Sequence, residues 1–171
     1  MHEYIFTLRL LHLLFGVFWA GTAIMQHFFL IPAVRSLGPD GGKMMQAMMR
    51  TRNFPIVMLL SGFITVLSGL GLMDSFSGHF RTEWFSTGYG AMLGIGGFSA
   101  ICALLTGLFV NKPAATAIGK LGAEISAGGG PPTPEQLAEM TRLRTKLEKG
   151  ASMIAWCMIL AVATMGVARY I

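Results

Sequence analysis

The side chains with most chemical capacity lie on one face near the start of the chain. With His12 at zero and 100° per residue, Gly16 falls at about +40°, Trp19 at about −20°, Ala23 at about +20°, Gln26 at about −40° and His27 at about +60°. Arg9 falls at about +60°, one turn ahead of His12. An imidazole inside an apolar helix ligates a metal, relays protons or hydrogen-bonds a carbonyl of a neighbouring helix. Haem b suits this arc. Histidine is its commonest axial ligand, and helical bundles hold a flat macrocycle between facing helices. Arg9 then stands where it meets the anionic propionates. Trp19 belongs to the same cofactor-facing set, with plain packing as its alternative.

His12 and His27 cannot share one iron. They are about 22 Å apart along a helix axis, whereas opposite axial ligands stand about 4 Å apart, twice a nitrogen–metal bond of about 2 Å. Two ligating histidines therefore mean two centres, and otherwise there is one. Second ligands come from other helices at matching depth: Met165 for His12, and Met58 or Met153 for His27. His79 caps an outer centre if its loop folds inward. The same His and Met residues allow a copper-handling reading, since Cu(I) favours thioether and imidazole. A structural subunit without cofactor, held by the glycine seams Gly62/Gly69 and Gly90/Gly94/Gly97, is the third reading.

These residues need a lipid-embedded scaffold. Of 171 residues, 53% are apolar and 12% charged, against roughly 25% charged in soluble domains, and the mean hydropathy is +0.60. Four stretches reach the roughly 20 residues that cross a bilayer: 4–31, 54–73, 88–110 and 151–170. No period-2 alternation indicates a barrel. The expected fold is therefore all-α, an integral membrane antiparallel four-helix bundle forming a single domain. The start, Met1-His2-Glu3-Tyr4, lacks a cationic n-region, so the first stretch reads as a retained span. Asn53 is placed to cap the second span, and Pro32 and Pro113 to end the first and third.

Basic residues set the orientation. Arg35, Lys43, Arg50 and Arg52 lie in the first connection; Lys112, Lys120, Arg142, Arg144, Lys146 and Lys149 in the third; and Arg81 alone in the second. Connections one and three then face the cytoplasm, and both termini lie outside. The formal charge of +5 thus marks topology, not nucleic acid, because the cations sit at the ends of apolar blocks. The third connection, 111–150, holds a Gly/Pro linker at 127–132. Thr133-Pro134-Glu135-Gln136 reads as a capping box opening a short cytoplasmic helix, which is free to run on through Gly150. Residues 43–50 suggest a Met-rich helix on the inner interface. Cys102 and Cys157 lack metal or disulfide spacing. No nucleotide-binding glycine pattern, hydrolase triad or carboxylate pair is present.

Leu11-His12, Trp19-Ala20-Gly21 and Pro32-Ala33-Val34-Arg35 resemble the first helix of a set of small membrane proteins. That set comprises HemJ-type protoporphyrinogen oxidases, CopD-type copper-resistance domains and the membrane part of PuuD-type urate oxidases. Asn111-Lys112-Pro113 and Leu143-Arg144 are similar in placement. The resemblance implies that His12 is the histidine thought to hold haem b, while His27 and the long linker lie outside the pattern. The combined expectation is a haem b electron-transfer protein of the bacterial inner membrane, acting as a small oxidoreductase or within a larger redox complex. A redox partner and a homo-oligomer are its expected associates.

Overall fold

Two prolines expected to end spans sit inside continuous helices. The computed structural model describes residues 2–171, except the side chains of Pro39, Arg50 and Arg52. The loop cations Arg50 and Arg52 therefore lie outside the described side chains. The elements in order are α1 (His2–Ser36), α2 (Pro39–Arg50), α3 (Phe54–Ser77), α4 (Thr82–Phe85), α5 (Gly88–Ala127) and α6 (Pro134–Tyr170). Among the described residues there is no strand. Four of these helices, α1, α3, α5 and α6, are long and apolar enough to cross a membrane.

Pro32 and Pro113 are accommodated by the same device. A helical proline lacks an N–H, and its ring crowds the carbonyl four residues back, here on Phe28 or Phe109. Each helix widens just ahead of its proline into a π turn, over Gln26–Leu30 in α1 and Gly107–Asn111 in α5. The Ile31 N–H closes on the Gln26 carbonyl, and the Lys112 N–H on the Gly107 carbonyl. These i to i−5 bonds let the chain pass the proline without ending the helix.

The third connection is therefore mostly helix. α5 has 40 residues and α6 has 37, about 60 and 55 Å at 1.5 Å per residue, well beyond a hydrocarbon core of about 30 Å. Residues 112–127 of α5 pack along the first turns of α6, burying Ala114 and Leu143. The expected short helix before the fourth span is fused to it through Gly150. Its capping box is present: Thr133 Oγ1 accepts from the Gln136 N–H, and Gln136 Oε1 accepts from the Thr133 N–H. Asn53, by contrast, is left-handed (φ 53°) and makes no side-chain cap.

Packing is inverted relative to a protein in water. Phe6, Val17, Phe98 and Phe109 are 67–72% exposed, while the buried set is rich in small residues such as Ala20, Ala23, Ala103, Ala155, Ser61, Thr65 and Ser99. Large apolar groups outside and small groups at helix crossings suit lipid as the solvent. α1 runs antiparallel to α3, with Leu8 against Gly71, His12 against Gly69, Gly16 against Thr65 and Trp19 against Gly62. α5 runs antiparallel to α6, with Gly96 against Met165 and Gly150 against Asn111. The two pairs meet in a core of Trp19, Ala20, Ala23, Ala100, Ala103, Leu104 and Met158.

The α5–α6 seam is tightest at Gly150, where an added Cβ would overlap Asn111 Oδ1 and lie 3.3 Å from Val110 Cγ1. A Cβ on Gly21, in contrast, would meet nothing within 4 Å. Gly150→Ala is expected to lose about 1–3 kcal/mol through overpacking, whereas Gly21→Ala is expected to be neutral or stabilising because alanine is the better helix former. Thermal unfolding of the detergent-solubilised pair checks this; equal melting temperatures would refute it.

Candidate functional site

The site is built where α1 lies on the small-residue face of α3. Gly62, Thr65 and Gly69 recur at helical spacing, so they form one stripe on which larger side chains of α1 rest. His12 occupies the Gly69 position. A Cβ added there would come within 2.8 Å of His12 Cε1 and 3.0 Å of Nδ1, so the imidazole lies along the α3 backbone only because residue 69 has no side chain. Its Nδ1 is 2.8 Å from the Thr65 carbonyl oxygen.

That contact assigns the tautomer. A carbonyl only accepts, so Nδ1 carries the proton, and in the neutral ring Nε2 keeps its lone pair. Nε2 has no hydrogen-bond partner among the described residues. A ligating histidine is usually held this way, with one ring N–H on a backbone carbonyl and the other nitrogen open to the metal.

The bond is also unusual for this molecule. The buried hydroxyls of Ser61, Thr65, Ser68, Ser99, Thr106 and Thr164 each donate to the carbonyl four residues back in their own helix. Among the described residues, only three side-chain hydrogen bonds or ion pairs join different long helices: His12 to the Thr65 carbonyl, the Thr106 hydroxyl to the Met153 sulfur at 3.6 Å, and the Arg35–Glu148 ion pair.

The other expected site residues are dispersed. Trp19 is 5% exposed and packs its ring edge over Gly62 in the core. It shares the inward face of α1 with His12. Arg9 is exposed, its guanidinium 5.2 Å above the Phe76 ring, so the polar arc turns out of the bundle at its N-terminal end. His27 lies in the π turn, half-buried and edge-on to Phe28 at 4.7 Å; Phe28 in turn meets Trp156 at 5.7 Å. Met165 fills the space over Gly96 in the α5–α6 seam, whereas His12 sits in the α1–α3 seam. Met58 packs against the core.

His79 is strongly exposed, follows Gly78 in a left-handed turn (φ 67°) and places Nδ1 3.1 Å from Asp74 Oδ1. It faces its own loop. Among the described residues, no group of three His, Cys, Asp or Glu is disposed to hold a metal. Two open cavities of about 700 and 550 Å³ occur, the first between α5 and α6 and the second at the start of α1, and His12 lines neither.

The residues left out of the sequence reading are the partners of His12. The pairing of Gly62 and Gly69 signals a seam, but a backbone carbonyl such as that of Thr65 has no sequence signature. No family model, curated protein or solved structure matches the chain.

The assigned tautomer has a direct readout. A ¹⁵N spectrum of ring-labelled protein is expected to show His12 protonated at Nδ1 and bare at Nε2. Gly69→Ala is expected to lose that fixed tautomer, since the added methyl displaces the ring from the Thr65 carbonyl. A wild-type ring averaging between tautomers would refute the geometry.

Proposed function

We propose that the chain is an integral membrane electron-transfer protein that holds haem b through His12 Nε2, as a small oxidoreductase or as part of a larger redox complex. The carrying observation is the hydrogen bond from His12 Nδ1 to the Thr65 carbonyl, which fixes the ring and turns a lone pair away from it. Haem held there supplies a one-electron couple. The chain's own contribution is to orient the imidazole, to raise its basicity through the Nδ1 donor bond and to surround it with low-dielectric helix packing. Arg9, one turn outward on the same helix, supplies a cation at that end of the face. The donor fits the role on these grounds, and the resemblance of the first helix to HemJ-type and related proteins supports the same assignment.

Orientation belongs to the same proposal. The cations around 35–52 and 112–149 favour connections one and three on the cytoplasmic side of a membrane, taken to be a bacterial inner membrane, with both termini and the Asp74–Thr87 loop outside.

A second reading is favoured by the ring's close fit to Gly69. In it, His12 is a clamp between α1 and α3 and no cofactor binds.

An oxidised-minus-reduced absorption spectrum of purified protein, with and without added hemin, separates the two. Haem ligation is expected to give a Soret band that is lost in His12→Ala and kept in His27→Ala. If each variant instead lost half the band, two centres would replace one. A protein that stays colourless with hemin and whose His12→Ala form is merely less stable is the clamp.

A further inference from the structure

A second feature of the molecule lies where α6 changes from charged to apolar. Arg142, Lys146 and Lys149 are spaced i, i+4 and i+7, on one helical face, and Met153 continues that face at i+11. With Thr106 and Val110 of α5, they line the open groove of about 700 Å³. No carboxylate lines it. Arg142 is held by both oxygens of Glu139, at 2.7 Å each. Lys146 and Lys149 are exposed and have no ion-pair partner among the described residues.

The groove is graded along its length. Two unneutralised ammonium groups and a guanidinium stand at the end nearer the Gly/Pro linker. Past Gly150, the walls are Val110, Met153 and the already bonded Thr106 hydroxyl, which donates to the Cys102 carbonyl. A small anion would use only the cationic half, and a polar peptide would leave the apolar half bare. A molecule with an anionic head and a hydrocarbon body matches both halves. We infer that this groove binds an anionic phospholipid, with its phosphate between Lys146 and Lys149 and its upper acyl chain against Met153. The inference rests on α6 crossing the membrane beyond Gly150, but not on any cofactor at His12.

The test uses the full chain in nanodiscs of phosphatidylcholine containing a minority of phosphatidylglycerol, with retained lipid counted by native mass spectrometry. Wild type is expected to retain phosphatidylglycerol selectively. Lys146→Gln should weaken that preference about 5-fold, and Lys146→Gln with Lys149→Gln about 25-fold. Lys43→Gln with Lys120→Gln removes the same charge elsewhere and is expected to retain lipid like wild type. Undiminished retention in the groove variant, or an equal loss in the control pair, overturns the inference. So does displacement of the lipid by inorganic phosphate where chloride of the same ionic strength has no effect, because the groove is then a phosphate site. Failure of the chain to enter nanodiscs overturns the membrane reading and this inference with it; entry without lipid preference overturns only the latter.

Discussion

A solvent without hydrogen bonds to offer governs this molecule. In hydrocarbon, a polar group has to find its partner within the protein, and Ser61, Thr65, Ser99, Thr106 and Thr164 do so at the lowest cost, by turning back onto their own helices. Those bonds satisfy the hydroxyls but do not hold one helix to another. Adhesion is left to shape, and hence to the positions where a side chain is missing: Gly62, Gly69 and Gly71 on α3, and Gly96 and Gly150 in the α5–α6 seam. Close backbone approach at such positions is the main source of helix association when lipid is as apolar as the side chains. His12 departs from this economy by directing its donor across a seam.

That departure depends on the same seams. The ring reaches the Thr65 carbonyl because Gly69 lets it lie on the α3 backbone, and α1 stays in register because Leu8, Gly16 and Trp19 find their own positions along α3. Trp19 then carries the register into the core, where it meets Leu104 of α5 over Gly62. The site is thus fixed by three helices although only one bond marks it. Arg35 and Glu148 tie the end of α1 to the charged part of α6. An exposed pair of this kind contributes about 0–1 kcal/mol, so it adjusts register more than stability.

Periodicity and composition made much of this legible. The four apolar stretches, the inward face carrying His12, Trp19 and Ala23, the Thr133–Gln136 capping box and the Gly62/Gly69 seam all follow from spacing alone. The misses share one cause: a local rule applied where the surroundings decide. Proline stops a helix when nothing absorbs its ring, but Pro32 and Pro113 each have room for a π turn, so α1 and α5 run on. Asn53 is a good cap by type, yet the chain enters α3 through a left-handed turn that points the side chain elsewhere. Arg9 shares the arc of His12 by angle, and its contact with the Phe76 ring near the N-terminal end of α1 is one that spacing does not reveal. The fit of Asn111 against Gly150 joins residues 39 positions apart, and no spacing rule reaches that far.

The two readings of His12 differ in what they ask of its second nitrogen. A clamp between helices needs one donor, and a serine, threonine or tryptophan would provide it without a further polar atom. Imidazole brings a second nitrogen that, in this tautomer, is a bare acceptor with no partner among the described residues. Among the described residues the buried side-chain atom left without a hydrogen bond is Asn111 Oδ1, against Gly150, and not His12 Nε2. Ligation would use the Nε2 lone pair. The two readings therefore part at Nε2, the atom that ligation would use and a clamp would leave bare.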